Sequence, residues 1–290
     1  MKKETLFVSF SGGRTSAYMC WWLLKNKCKE YNLIFVFANT GQEHEKTLEF
    51  VDKVDKWLGL NLVWVEAVVD PRRGKGVRHK VVSYETASRY GEPFEAYIAK
   101  EGIPNAAYPQ CSERLKTFPM ESYRRSLGFR AKHMTAIGIR SDEIDRMNIN
   151  AIRRKEVVYP LIKWHPITKA EIRHWWAEQD FDLDIPEHLG NCVTCWKKSD
   201  RKLMTIAKQE PWRFDFFRRM ESKYRQAGAG DEDRVFFRQH RTVSDIFEKA
   251  ESSFFEFEDR MPELQYRLFD PIDMSSGCAE SCEIISEEEK

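Results

Sequence analysis

The chain has 290 residues, 42% of them hydrophobic and 32% charged, with a formal net charge of +1 at pH 7. That length supports a substantial core, in one large domain or in one domain with a smaller companion. The near-zero charge excludes a protein drawn as a whole to nucleic acid or to an anionic membrane.

No apolar run is long enough to span a bilayer and no signal-peptide pattern precedes the first strand, so a cytoplasmic location is expected. Residues 6–10 (LFVSF) predict a buried strand, followed by Ser11, Gly12 and Gly13 and then a helix that starts with Arg14, Thr15 and Ser16. The glycines let backbone approach a ligand with no Cβ in the way, the hydroxyls of Ser11, Thr15 and Ser16 are at hand, and the first-turn N–H groups favour an anion. The stretch reads as a phosphate cradle, and it lacks the spacing and the lysine of the common G-x-x-x-x-G-K-[ST] loop. Seven scattered cysteines do not suggest a secreted disulfide framework. Cys20 and Cys28, among Trp21, Trp22, Leu23 and Leu24, read as small buried hydrophobes.

Residues 33–38 (LIFVFA) are continuously apolar, as in a parallel strand covered on both faces, and they end in Asn39-Thr40-Gly41-Gln42-Glu43. In open α/β sheets ligands sit at such carboxyl edges. A helix over residues 43–58, stopped by Gly59, and a strand over 62–65 complete a strand–helix rhythm that predicts an α/β fold with a doubly wound parallel sheet. From about 70 to 110 prolines and glycines break the pattern, and Arg72, Arg73, Lys75, Arg78 and Lys80 make it basic. This insertion is expected over the nucleotide site, as a solvated loop or as a contact to a polyanion.

Cys111 stands at a predicted helix start, where a thiolate is stabilised. Residues 133–139 predict a strand leading to Arg140, Glu143 and Arg146; the arginines are placed to reach phosphates, or to pair with Glu143 and Asp145. Residues 157–161 are expected to close the sheet, and Thr168 to cap a helix over 169–178. A boundary is expected near residue 185. It separates a nucleotide-binding domain, 1–185, from a mostly helical region, 186–290, that carries Cys192-x-x-Cys195 and a mobile acidic tail with Cys278 and Cys282.

The loop from Ser11 to Ser16 resembles the PP-loop of the ATP pyrophosphatase superfamily. With Asn39-Thr40-Gly41, Cys111 with Leu115-Lys116, Gly138-Ile139-Arg140 with Glu143 and Arg146, Pro160-Leu161 and Asn191-Cys192-x-x-Cys195, the chain up to about Lys202 resembles the phosphoadenosine phosphosulfate (PAPS) reductase-like branch of that superfamily. It is similar in particular to stand-alone phage proteins and to relatives of the DNA-phosphorothioation sulfurtransferase. The resemblance implies an adenine nucleotide alpha hydrolase-like fold and a site for ATP, or for a sulfonucleotide such as PAPS, with Mg²⁺. Ser11, Gly12, Gly13, Arg14, Thr15 and Ser16 would hold the pyrophosphate, with Asn39, Thr40, Gly138, Arg140, Glu143 and Arg146 around the nucleotide. Cys111, Cys192 and Cys195 would ligate a [4Fe–4S] cluster, the fourth place going to Cys278 or Cys282 from the tail or staying open for sulfide or substrate. Spacing alone equally permits zinc held by Cys111, His188, Cys192 and Cys195.

The function that follows is an ATP-dependent, Fe–S-dependent sulfurtransferase or adenylating enzyme acting on a nucleic acid or nucleotide, with Cys111, Cys278 and Cys282 as candidate reacting thiols. The alternatives are a sulfonucleotide reductase working through a tail cysteine and a nucleotide-binding regulator without turnover. Against the reductase, Gly277-Cys278-Ala279-Glu280 departs from the Glu-Cys-Gly-x-His signature of that activity. Candidate partners are a nucleotide, a DNA or tRNA substrate, a cysteine desulfurase or other sulfur donor, and a second copy of the chain, with no membrane.

Overall fold

Alternation along three apolar strands sets up the architecture. Strands β1 (Glu4–Ser9), β2 (Tyr31–Asn39) and β3 (Val63–Val69) send Leu6, Val8, Phe35, Phe37 and Trp64 to one face and Phe7, Val36, Ala38 and Val65 to the other. Both faces are apolar, so both must be covered. The computed structural model, which describes residues 3–72, 74–228 and 232–259, covers them with helices. Cys278 and Cys282 lie outside the described residues.

The sheet has six strands in the order β4-β3-β2-β1-β5-β6, where β4 is Val77–Val82, β5 is Thr135–Ala136 and β6 is Val157–Val158. All neighbours are parallel except β3 and β4, which are antiparallel. The helices of the first two thirds are α1 (Arg14–Asn26), α2 (Glu45–Leu58), α3 (Glu92–Glu101), α4 (Phe118–Ser126), α5 (Ile149–Arg153), α6 (Pro160–Lys163) and α7 (Lys169–Ala177). Met19 and Leu23 of α1, Leu48 and Val51 of α2 and Trp176 of α7 cover the Leu6 face, while Met120 of α4 covers the Phe7 face. Helices α8 (Asp200–Gln209), α9 (Asp215–Tyr224) and α10 (Val243–Glu251) follow, and their Leu203, Ile206, Phe217, Met220 and Ile246 belong to the same apolar cluster as Leu6. No helix among the described residues is long and apolar enough to cross a membrane.

Three sequence expectations are corrected. The interval 70–110 is not irregular throughout: it contributes the antiparallel edge strand β4 and helix α3. The strand expected over 133–139 is laddered only at Thr135–Ala136. The one expected over 157–161 ends at Val158 because Pro160, whose fixed φ suits a first helical position, opens α6.

Strands β1 and β2 are adjacent and parallel, so the loops after them emerge side by side at the same sheet edge. After β1, Gly12 takes a φ of +86°, and a Cβ there would lie 2.9 Å from Cγ2 of Thr47 on α2. Only glycine fits both demands.

Candidate nucleotide and thiol site

The cradle is a turn held from within. Ser16 Oγ accepts the Ser11 N–H at 3.1 Å, donates to the Gly13 carbonyl at 3.0 Å and lies 2.9 Å from Ser11 Oγ. Gly13 caps α1 with no side-chain hydrogen bond and there is no acidic residue in the first turn, so this helix end suits an anion. Arg140, 3% exposed, donates from Nη1 to Thr15 Oγ1 at 3.1 Å and from Nε to Asp142 at 3.0 Å; its Nη2 lies 3.4 Å from Glu143. Arg146 pairs with the other oxygen of Glu143 at 2.5 Å. Of the two expectations for these arginines, ion pairing is the one seen: Arg140 pairs with Asp142 and Glu143 and Arg146 with Glu143, rather than with Asp145, while Arg140 also braces the turn through Thr15. Arg14 turns away to Asp182 at 2.8 Å and to the Leu183 carbonyl. Above the turn lies a cleft of roughly 310 Å³, walled by Ser11, Gly12, Gly13, Arg14, Thr47, Leu183, Ile185, Pro186, Glu187, Gly190 and Asn191.

The loop after β2 is equally self-contained. The Asn39 amide donates to Glu66 at 2.6 Å and to the Ser88 carbonyl at 2.8 Å, while its oxygen accepts the Gly41 N–H at 3.2 Å. Its polar atoms thus position the turn. Glu66, fully buried, also takes the Ser88 N–H and hydroxyl and Lys80 Nζ at 2.7 Å, which gives one residue of the basic insertion an internal partner. Glu43, its side chain 1% exposed, accepts from the Thr40 N–H and hydroxyl and from the Gln42 N–H, with Lys116 Nζ 3.7 Å away.

Glu43 also forms an antiparallel bridge with Cys192, and the Val193 N–H donates to the Gln42 carbonyl at 3.1 Å. This stitches the cysteine loop to the end of β2. Thr40 Oγ1 lies 3.5 Å from Cys192 Sγ. Cys111, at the start of the helix that continues through a π turn (Glu113–Thr117) into α4, faces the same second cleft of roughly 400 Å³ as Cys192 and Cys195, together with Thr40, Ser112, Leu115, Lys116 and Trp196. Lys198 holds the loop from below: its ammonium, 2% exposed, donates to the carbonyls of His188, Gly190 and Val193 at 2.5, 2.9 and 2.8 Å. Asn191 adopts a left-handed φ of 59° just before Cys192.

A model of the phosphoadenosine phosphosulfate reductase domain matches residues 5–181, well over half of the chain. The chain belongs to that family. It is 35% identical over 206 residues to an uncharacterized nin region protein of Escherichia phage lambda, covering 70% of this chain and 69% of the phage protein. Two uncharacterized proteins of the archaeon Methanocaldococcus jannaschii are 31% and 26% identical over 42% and 60% of this chain, which spans only 23% and 31% of their own lengths.

Within this reductase-domain frame, the motif residues Ser11, Gly12, Gly13, Thr15, Ser16 and Arg140 meet at the cradle while the Arg14 guanidinium turns away, with Thr40 at the neighbouring thiol cleft, and Gly138 is buried in the segment after β5 that leads to Arg140. The three motif cysteines share one cleft although Cys111 and Cys192 are far apart in sequence. Cys20 is buried in the core and Cys28 is half-buried beyond α1. His188 is not among the residues walling that cleft; it is buried edge-to-face with Phe257, and its Nδ1 has no hydrogen-bond partner among the described residues. As the side chains stand, no group of three His, Cys, Asp or Glu among the described residues could hold a metal ion, so neither the Cys₃His zinc set nor the Cys111, Cys192 and Cys195 cluster set is assembled there. Lys116 belongs to the Cys111 motif, though nothing in that motif marks it as buried, and the only signal Lys198 carries is adjacency to Cys195.

Glu187, on the cradle wall, pairs with Lys169 at 2.5 Å and Lys202 at 2.9 Å. Burial pushes its carboxyl up, but the two ammonium groups outweigh burial and bring the pKa down to about 2. A depressed folded-state pKa gives stability that is present above the ordinary carboxylate value and lost as pH falls toward the folded one. Glu187→Gln is therefore expected to cost roughly 3 kcal/mol at pH 7 and almost nothing near pH 2, checked by urea unfolding of both proteins across that range.

Proposed function

We propose that the chain is an ATP-dependent enzyme of the PP-loop type that transfers sulfur to, or adenylates, a nucleic acid or nucleotide. The observation that carries this reading is the shared wall: Gly190 and Asn191 face the phosphate cradle and Cys192 and Cys195, immediately after them, face the thiol cleft. The six residues from Gly190 to Cys195 thus connect the cradle cleft to two thiols, and Cys111 joins them from another segment. In the reaction an acceptor oxygen attacks the α-phosphorus of ATP, the bond to pyrophosphate breaks, and a sulfur nucleophile then displaces AMP. The cradle's backbone N–H groups are fixed where charge builds on the departing pyrophosphate, and a divalent cation would neutralise the remainder.

Cys111, Cys192 and Cys195 suit an iron–sulfur cluster by donor chemistry, since thiolates are its normal ligands, and the cluster when bound would supply or hold sulfur. Cys278 and Cys282, the candidates for the fourth place, fall outside the described residues. The alternative of sulfonucleotide reduction is favoured by the identity of the matched domain.

Iron, acid-labile sulfide and zinc measured on protein purified without oxygen, together with pyrophosphate release from ATP, test the proposal. The expected result is iron and sulfide near four each per chain, lost in Cys192→Ala, with pyrophosphate formed only when acceptor is present. Zinc or no metal, with sulfite released from PAPS, would replace it with the reductase reading.

A further inference from the structure

Thr47 lies in the first turn of α2, is 3% exposed and borders the cradle cleft beside Ser11, Gly12 and Gly13. Its hydroxyl has no hydrogen-bond partner among the described residues. A helical threonine ordinarily donates to the carbonyl three or four residues back, and here the His44 carbonyl is occupied by Thr47's own N–H at 2.8 Å while the hydroxyl stays unpaired. A buried hydroxyl without a partner weakens the folded state, so its retention calls for a partner that arrives from outside.

The packing fixes where the methyl of that side chain sits. Cγ2 of Thr47 lies against Gly12, so close that a Cβ on Gly12 would be 2.9 Å from it. With the methyl held on the glycine, Oγ1 is confined to a remaining staggered position of a residue that walls the cleft. A neutral donor in the first turn of a helix is suited to an anionic acceptor.

We propose that Thr47 Oγ1 is a phosphate ligand, donating a hydrogen bond to an oxygen of the pyrophosphate moiety held over Gly12 and Gly13. The inference rests on reading the cradle as a pyrophosphate site. It makes Thr47 a member of the binding machinery contributed by the helix after β2, whereas the loop motif comes entirely from the chain after β1.

The test is calorimetric binding of inorganic pyrophosphate and of ATP to the full chain and to Thr47→Val and Thr47→Ser. Valine keeps the shape and removes the donor. It is expected to weaken both ligands on the order of tenfold while raising the unfolding temperature of the ligand-free protein, because the unpaired hydroxyl is gone. Serine is expected to bind within about twofold of wild type, since it retains the donor. Valine binding as tightly as wild type, or valine and serine weakened equally, would overturn the assignment in favour of packing alone. Wild-type protein that binds neither ligand would overturn the cradle reading itself, and the hydroxyl assignment with it, which separates the two failures.

Discussion

Lys198→Met is expected to destabilise the protein by on the order of 4–5 kcal/mol and to release the loop carrying Cys192 and Cys195, because three buried carbonyls lose a charged donor at once. Those carbonyls belong to His188, Gly190 and Val193, so the ammonium is the point around which the loop turns. Methionine matches the stem of lysine in length and apolar character but offers nothing to the oxygens, and each orphaned carbonyl costs about 1–3 kcal/mol, partly relieved by movement of the loop. Urea unfolding measures the stability, and the rate of thiol labelling measures the release. Cys195 is buried in the intact protein, and its labelling should accelerate sharply in the variant. A variant of normal stability with Cys195 still protected would show that the backbone bridge to Glu43 holds the loop unaided.

The other large effect belongs to Glu43→Ala, expected to cost about 3–4 kcal/mol by stripping a buried carboxylate from its donors. Three bonds to the Thr40–Gln42 turn and the approach of Lys116 disappear together. Removing one member of a buried charged set can be worse than removing both, since Lys116 stays behind with one of its neighbours gone. Glu43→Ala combined with Lys116→Met should therefore be less damaging than the sum of the two single changes, a difference that a double-mutant cycle in urea reads directly. Strict additivity would mean that the ammonium and the carboxylate do not sense each other across 3.7 Å.

These two residues also show where sequence reading reaches its end. Strand β2 was legible because it is buried on both faces, and an unbroken apolar run between polar turns fits few elements besides a covered strand. The turn between β1 and α1 was legible because two glycines between a strand and a helix are a local device. Strand β4 was not: its sequence, VRHKVV, exposes Arg78, Lys80 and Val81 at the sheet's edge, and charge on an edge strand looks like a loop. Strands β5 and β6, two residues each, have too little ladder to impose a period. Cys111, Cys192 and Cys195 could be placed together by motif, but Lys198 sits in Trp196-Lys197-Lys198-Ser199, where neighbouring lysines look alike. Which of them is buried depends on carbonyls brought together by the turn of the loop, and composition does not report the direction of a carbonyl. Thr47 was hidden for the same reason, its role being set by contact with Gly12, thirty-five positions away.

The segment from Gly190 to Cys195 has a thermodynamic consequence beyond its position. Because one short strip of backbone walls both clefts, tied by a bridge on one side and an ammonium on the other, it cannot be rearranged at one end without altering the free energy of the other. Any factor by which a ligand in one cleft changes the equilibrium affinity for a ligand in the other must then be returned in equal measure, as linkage requires of two ligands on one macromolecule.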